Sequence, residues 1–257
     1  MTEVATYPTV QAAAGQPGRV MGGGTLLMRQ VNYAPQSVDR LLRITDAALR
    51  EVRVEGDASV IGAGVTMAQV IANPDLAALA PPARSIGGPT LRNMATVGGN
   101  LYAPSPYGDF TVALLAAGAQ VVWADGRTED LEAFLRGRDQ ARGIVAAIRV
   151  PRLRPDQLRY RKVSRTKPKG VSVMSIAARL DGPGGPRIAF GAMGPTPLRA
   201  PSAEAALTGG RTDERSVEAA CAACLGDLQP QDDALASGWY RAQVAPVHLR
   251  RLLTGAA

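Results

Sequence analysis

Two glycine clusters constrain the fold of this chain more than any other feature. They lie at residues 22–25 (Gly-Gly-Gly-Thr) and 98–100 (Gly-Gly-Asn), and each follows a strand-like apolar run. Because glycine has no β-carbon, a ligand can approach its main chain closely, and successive N–H groups in such turns form an anion-binding concavity. Thr25, Thr96 and Asn100 add hydroxyl and amide groups. The pattern favours two loops that hold one pyrophosphate from two sides, with two plain tight turns as the alternative.

Two common nucleotide-binding motifs are excluded by the residues at their key positions. The run GAGVTM, residues 62–67, resembles the dinucleotide fingerprint G-x-G-x-x-G, but Met67 occupies the third glycine position. No acidic residue follows at about 20 residues to hold a ribose. Neither glycine cluster ends in the Gly-Lys-Ser/Thr that a P-loop requires. If the glycines bind a nucleotide, they therefore do so through a loop geometry that differs from these two motifs.

The order of predicted elements indicates an α+β C-terminal domain, which follows an N-terminal third in which short apolar runs alternate with helical patterns. Residues 18–31 predict a strand, a glycine turn and a helix, and Thr66 is a candidate N-cap of a further helix. The stretch 149–169 is punctuated by proline and strongly basic, with Asp156 as its only acid, so we expect a domain junction there. Beyond it, two strands around a Gly/Pro turn precede three helical segments.

The net positive charge of the chain limits the kinds of molecule that it is expected to bind. The chain has 257 residues and a formal net charge of +7, which fits a nucleic acid, an anionic cofactor or an acidic subunit that meets the stretch 149–169. Aromatic residues are 4% of the chain and no nucleic-acid-reading motif is recognisable, so nucleic acid is disfavoured. The start MTEVATYPTV lacks the features of a secretory signal, and no apolar run approaches the roughly 20 residues of a membrane span. We expect a cytoplasmic protein without a membrane span.

The cysteines and the histidine provide too few ligands for a metal centre. Cys221, Cys224 and His248 are the full set, so a four-ligand zinc or iron–sulfur site cannot be built from sulfur and imidazole in this chain. The C-x-x-C spacing is compatible with redox work. The surrounding run SVEAACAACLGDL also predicts a helix in which small cysteines pack, so no metal site is expected.

The glycine clusters and their flanks resemble the FAD-binding medium subunits of molybdenum hydroxylases, which include xanthine dehydrogenase, aerobic carbon monoxide dehydrogenase and aldehyde oxidoreductases. The run VMGGGTLLM is similar to that family's first flavin loop, and LRNMATVGGNLYAPSPYGD closely matches its second. YRKVSR and GAMGPTPLRAPSAEAAL are similar to its C-terminal domain. The first loop departs from the family pattern at Met21 and Gly24, and RTKPKGVSVM stands where Arg-Arg-x-x-Asp-Ile is usual.

The resemblance implies an α+β fold with three parts. Two α/β subdomains of the PCMH-type (vanillyl-alcohol-oxidase-like) FAD-binding fold hold FAD between them and occupy residues 1–153, with a split near 55. A C-terminal α+β domain, strands then helices, occupies residues 154–257.

The resemblance also implies a set of FAD contacts in place of a catalytic centre. They are Gly22, Gly23, Gly24, Thr25, Leu26, Thr96, Gly98, Gly99, Asn100, Tyr102, Asp109 and Lys162. Asp109 would accept hydrogen bonds from FAD hydroxyls, or else act as the N-cap of the following helix. Lys162 would reach the flavin ring or lie on a solvated basic face, and Tyr102 would touch the ring or pack in the core. Arg92 and Asn93 would mainly hold the second loop.

The function that the resemblance implies is electron transfer. Electrons would pass from the [2Fe–2S] clusters of a small partner subunit through FAD to NAD, oxygen or a quinone, after a large molybdopterin subunit oxidises the substrate. The expected assembly is a dimer of heterotrimers. The rival interpretations are a free-standing FAD oxidoreductase, a basic nucleic-acid-binding protein and a scaffold that has lost FAD.

Overall fold

A small parallel sheet forms the N-terminal part of the computed structural model, which describes residues 2–166 and 170–255. Its three strands run in the spatial order β1-β3-β2, with β1 (Glu3–Tyr7), β2 (Arg19–Val20) and β3 (Arg40–Ile44). Helices α1 (Val10–Ala13) and α2 (Leu27–Tyr33) provide the crossovers that parallel strands need. The predicted strand, glycine turn and helix at residues 18–31 are confirmed by β2 and α2.

The next part is built on a five-stranded antiparallel sheet. Its strands are β4 (Val52–Glu55), β5 (Ala58–Gly62), β6 (Gln120–Trp123), β7 (Thr128–Asp130) and β8 (Val145–Pro151), in the spatial order β4-β5-β8-β6-β7. Its helices are α3 (Met67–Ala72), α4 (Ala80–Arg84), α5 (Pro89–Arg92), α6 (Val97–Leu101), α7 (Asp109–Ala117) and α8 (Leu131–Gly137). Thr66 caps α3 through a capping box with Gln69, as its position in the sequence predicts.

The C-terminal part has strands first and helices last, as expected. Its antiparallel sheet has the order β12-β11-β10-β9, with β9 (Arg159–Ser164), β10 (Ser172–Arg179), β11 (Arg187–Gly191) and β12 (Leu198–Arg199). Helices α9 (Pro201–Ala206), α10 (Glu214–Ala223) and α11 (Gly238–Thr254) follow. Both cysteines lie in the core beside these helices, where burial raises the pKa of the Cys224 thiol to about 12. The geometry therefore favours packing over redox chemistry for this pair.

Helix α7 joins the second and third parts. All nine of its residues are buried, because its sequence is apolar on every face and it packs against β10 and β11 as well as its own domain. Arg179 is buried and donates a hydrogen bond from Nη1 to the Ala117 carbonyl at 3.0 Å. The carbonyl at the C-terminal end of α7, which has no donor within the helix, therefore has a hydrogen-bond partner. The first sheet ends at Ile44 and the second begins at Val52. The boundaries expected near 55 and at 153 stay predictions.

Candidate functional site

The two glycine clusters meet in space. We call residues 22–26 loop 1 and residues 94–100 loop 2. A β-carbon placed on Gly23 would lie 1.5 Å from the Met94 carbonyl oxygen, and one on Gly22 would lie 2.6 Å from Thr96 Oγ1. No β-carbon tolerates such distances, so the first two glycines allow the two backbones to touch. The sequence expectation that both clusters serve one site agrees with this contact.

Loop 1 contains backbone N–H groups that have no hydrogen-bond acceptor among the described residues. Within the part of the chain that the structure describes, none of the five backbone N–H groups of residues 22–26 donates a hydrogen bond to another protein atom. Gly24 adopts a φ of +70°, which glycine tolerates and which reverses the chain before α2. Backbone N–H groups without protein partners, gathered in one turn, are the donors an anion requires.

Six of the seven backbone N–H groups of loop 2 donate hydrogen bonds to the protein around them. Gly98 N donates to the Ala63 carbonyl at 2.8 Å, and Gly99 N donates to Thr96 Oγ1 at 3.1 Å. Asn100 Oδ1 accepts a hydrogen bond from the Thr111 N–H at 2.9 Å, which ties α6 to α7. Gly99 is exposed, and loop 2 therefore forms a rigid wall beside loop 1 with Gly99 on its outer surface.

Asp109 and Lys162 meet across the boundary between the second and third parts. Lys162 Nζ lies 3.1 Å from Asp109 Oδ2, and their side chains are 13% and 9% exposed. Ser172 Oγ lies 2.7 and 2.8 Å from the two carboxylate oxygens and donates to them. Gly108, not Asp109, is the N-cap of α7, so the capping alternative for Asp109 is wrong. The solvated alternative for Lys162 is wrong as well, because its side chain is only 13% exposed and its ammonium forms an ion pair.

Three neighbours of this ion pair were not singled out from the sequence: Ser85, Tyr160 and Ser172. Lys162 Nζ also donates to the Ser85 carbonyl at 2.9 Å, and the Tyr160 hydroxyl lies 3.0 Å from Ser85 Oγ. Burial, followed by the nearby Asp109 carboxylate, raises the pKa of Tyr160 well above its ordinary value, so its hydroxyl stays protonated. Tyr160 and Lys162 are two residues apart on one strand, a spacing that places both on the same face.

Tyr102 and the neighbouring segment are held from the side of α8. The Tyr102 ring packs edge-on against Phe134 with centroids 5.5 Å apart, yet 45% of the residue is exposed. Buried Arg138 donates to the Leu101 and Ala103 carbonyls at 2.9 and 3.0 Å. Arg138 thus fixes the chain on both sides of Tyr102.

Arg92 makes its hydrogen bonds within the chain. Arg92 donates to the carbonyls of Arg84, Ile86 and Gly87, so it holds the turn after α4. Asn93 ends α5.

In the stretch 149–169, of which residues 167–169 lie outside the described residues, Arg152 pairs with Asp75 and Arg154 pairs with Asp181. Arg159 donates to the carbonyls of Leu252 and Leu253 at the end of α11. These three arginines therefore have partners within the chain, and the ion pair of Arg154 with Asp181 links the connecting segment to the C-terminal domain.

Comparison with known sequence families decides the assignment. Residues 4–153 match the family described as the FAD-binding domain in molybdopterin dehydrogenase, and residues 160–256 match the CO dehydrogenase flavoprotein C-terminal domain. The chain belongs to this FAD-binding family. It is an FAD-binding oxidoreductase subunit of the molybdenum hydroxylase group, and the resemblance, the fold class and the FAD cofactor expected from the sequence are confirmed.

Individual relatives of this FAD-binding subunit are similar over nearly their whole length. It is 27% identical over 260 residues to the carbon monoxide dehydrogenase medium chain of Hydrogenophaga pseudoflava, which covers 94% of this chain and 90% of the relative. It is 26% identical over 245 residues to the glyceraldehyde dehydrogenase medium chain of Sulfolobus acidocaldarius, with coverage of 89% and 87%.

A solved structure has the same fold. It is the carbon monoxide dehydrogenase of Hydrogenophaga pseudoflava that lacks the Mo-pyranopterin moiety of its molybdenum cofactor. The TM-score is 0.88 at 26% identity, and the match covers 99% of this chain and 96% of that one. Among the described residues of this chain, no helix combines the length and the apolar character needed to cross a membrane.

Proposed function

We propose that loop 1 binds the pyrophosphate of FAD with its backbone N–H groups, while loop 2 closes the site from the other side. The single observation that carries this proposal is the set of five N–H groups without protein acceptors, held against loop 2. A pyrophosphate is a polyanion that accepts several hydrogen bonds at once, so it matches this row of donors. Because the donors belong to the backbone, the site needs glycines for access rather than particular side chains.

The proposed FAD contacts fall into three groups by position. Gly22, Gly23, Gly24, Thr25 and Leu26 form loop 1, and Thr96, Gly98, Gly99 and Asn100 belong to loop 2. Tyr102, Asp109 and Lys162 extend the site toward α8 and the C-terminal domain. Loop 1 provides free donors, Gly99 provides an open approach, and Tyr102 provides a half-exposed ring.

In this proposal the chain is the electron-transfer subunit of a larger enzyme. Bound FAD supplies the electron-transfer chemistry, and the residues of this chain bind and orient it. Its partners are a small [2Fe–2S] subunit and a large molybdopterin subunit in a dimer of heterotrimers, located in the cytoplasm. The similarity to medium chains of carbon monoxide and glyceraldehyde dehydrogenases supports this assembly. Their differing substrates agree with an oxidation that takes place on another subunit.

Isolation of the protein from its native cells tests the proposed assembly. We expect it to co-purify with two other polypeptides, with iron, molybdenum and FAD all present in the same complex. Electrons from the substrate should reach an external acceptor only when the flavin-containing chain is present. A lone flavoprotein with full turnover on a small substrate would contradict the assembly and favour a free-standing oxidoreductase.

A further inference from the structure

Helix α11 exposes a stripe of large side chains on the side that faces away from its own domain. Its buried side, with Ala245, Leu249, Leu252 and Leu253, completes the core of the C-terminal part. The residues on the other side are exposed, and we call six of them the outer face: Trp239, Tyr240, Gln243, Val247, Arg250 and Arg251. At about 3.6 residues per turn they lie along one side of the helix, over a length of about 18 Å at 1.5 Å per residue.

The composition of the outer face is typical of a protein interface. Trp239 is 72% exposed, whereas Trp123, the other tryptophan of the chain, is 3% exposed. Tyr240 and Val247 are exposed as well. Apolar side chains that lie together on a surface and are rimmed by polar residues mark interaction sites. Tryptophan, tyrosine and arginine are also the residues that contribute most to the binding free energy of protein interfaces.

The charge of the outer face indicates the chemistry of its partner. From Gly238 to Thr254 the helix contains no acidic residue, and neither Arg250 nor Arg251 forms an ion pair with any residue that the structure describes. Arg161 on β9 adds positive charge nearby, because the pKa of His248 is lowered first by burial and then by the guanidinium groups of Arg161 and Arg251. Guanidinium groups beside exposed apolar side chains match a surface that has carboxylates around an apolar pocket.

We infer that the outer face of α11 docks an acidic partner polypeptide, with the Trp239 indole as the apolar anchor and the two arginines at the rim of the contact. The inference rests on the proposed assembly and deepens it, since it adds the surface by which this chain joins a partner. In the stretch 149–169, by contrast, Arg152, Arg154 and Arg159 have partners within the chain. Their guanidinium groups are therefore less available to another polypeptide than those of the outer face.

The outer face lies on the opposite side of the C-terminal sheet from the proposed FAD site. Side chains alternate along β9, so Tyr160 and Lys162 face the FAD-binding domain, whereas Arg159 contacts the end of α11. A partner on α11 therefore needs no contact with the cofactor. Loss of that partner should leave FAD bound, which separates the docking surface from the cofactor site.

Two other occupants match the outer face less well. A second copy of the chain would oppose two identical patches, each with two guanidinium groups and no carboxylate. A helix that lies on a membrane needs a broad apolar face, and the broad apolar face of α11 is already buried in the domain core. An acidic polypeptide suits both the aromatic and the basic residues of the outer face.

Dissociation of the purified native complex on dilution, followed by mass photometry, tests the inference. Trp239→Ala should raise the Kd for the partner roughly tenfold or more, because it removes the anchor from the contact. Tyr33→Ala is the matched control, because Tyr33 is an aromatic residue that is 84% exposed on α2. FAD content should be the same in both variants and in wild type. An unchanged Kd for Trp239→Ala, or equal increases for the two variants, would overturn the inference.

Charge reversal tests the acidic character of the partner. The double variant Arg250→Glu, Arg251→Glu should associate with the partner roughly tenfold more slowly than wild type at low salt. The difference should shrink at about 1 M salt, where the Debye length is about 3 Å. The double variant Arg136→Glu, Arg142→Glu is the control, because it changes the net charge equally at exposed positions away from α11. Equal association rates of the two double variants would overturn the inference.

Measurements on the partner-free full chain identify the other outcomes. Trp239→Ala should keep the wild-type Tm, and a lower Tm that accounts for the lost complex would assign Trp239 a packing role and overturn the inference. Light scattering that shows a dimer, or retention on phosphatidylserine vesicles, would overturn it if Trp239→Ala abolishes that binding, because a second copy or a membrane would then occupy the outer face. A wild-type chain isolated without any partner would instead overturn the proposed assembly on which the inference rests.

Discussion

At the scale of single residues, the glycines of the two loops meet different demands. Gly23 is required by the close approach of loop 1 to the Met94 carbonyl, whereas a β-carbon on exposed Gly99 would meet only Thr96 Oγ1, at 2.9 Å. Gly23 thus serves the protein's own packing, and Gly99 serves the surface that the cofactor would approach. Substitutions at the two positions should therefore fail in different ways.

Gly99→Val should lose FAD with little loss of fold. The valine side chain would project from the outer surface of loop 2 into the space proposed for the pyrophosphate. It would also disturb the Thr96 cap of α6, so we expect a loss of unfolding free energy of about 1 kcal/mol. FAD titration and thermal unfolding of the flavin-free chain measure the two effects. FAD binding as tight as in the wild type would show that loop 2 is a plain turn.

Gly23→Ala should weaken both FAD binding and stability. Its β-carbon would overlap the Met94 carbonyl, so loops 1 and 2 must separate. Gly137→Ala is a matched control, because a β-carbon there meets no atom within 4 Å and its φ is not positive. Chemical denaturation should show a clear loss for Gly23→Ala and little change for Gly137→Ala. Equal stability of the two variants would contradict the contact between the loops.

At the scale of elements, the segment between α6 and α7 is fixed by one buried cation. Replacing Arg138 by methionine would leave the Leu101 and Ala103 carbonyls without their donor. We expect this variant to lose about 1–3 kcal/mol of unfolding free energy. Arg136→Met, in the last turn of α8 two residues before Arg138, is the control, because Arg136 is 70% exposed and its ion pair with Glu132 is worth less than about 0.5 kcal/mol. In urea denaturation, the midpoint should fall clearly for the Arg138 variant and little for the Arg136 variant. Similar midpoints would contradict a stabilising role for the two hydrogen bonds of Arg138.

Elements with strong local signals were predictable from the sequence, whereas contacts between distant segments were not. The apolar run of α7, the Thr66 cap and the strand–turn–helix at loop 1 follow from local periodicity and turn chemistry. Candidate residues of loop 1 and loop 2 followed from their glycines and from the family resemblance. The Asp109–Ser172 bond joins residues 63 positions apart, and no local pattern encodes such a contact. The same holds for Arg138, whose two carbonyl partners lie more than 30 residues away.

At the scale of the whole molecule, the proposed site draws on all three parts of the chain. Loop 1 comes from the parallel sheet, loop 2 from the five-stranded part, and Lys162 from the C-terminal domain. A ligand that bridges all three should stabilise the entire fold. At an FAD concentration one hundred times the Kd, binding should add about 2.7 kcal/mol to the unfolding free energy. Thermal unfolding with and without FAD measures this, and an unchanged midpoint would contradict a bridging site.

The identity of the bound flavin shows whether the chain carries a pyrophosphate site. Loop 1 is proposed to bind a pyrophosphate, which FAD has and FMN lacks. Denaturing the purified full chain and separating the released flavin by chromatography gives both its identity and its amount. We predict one FAD per chain, with none released from Gly99→Val. Stoichiometric FMN, or no flavin even after incubation with excess FAD, would contradict the account.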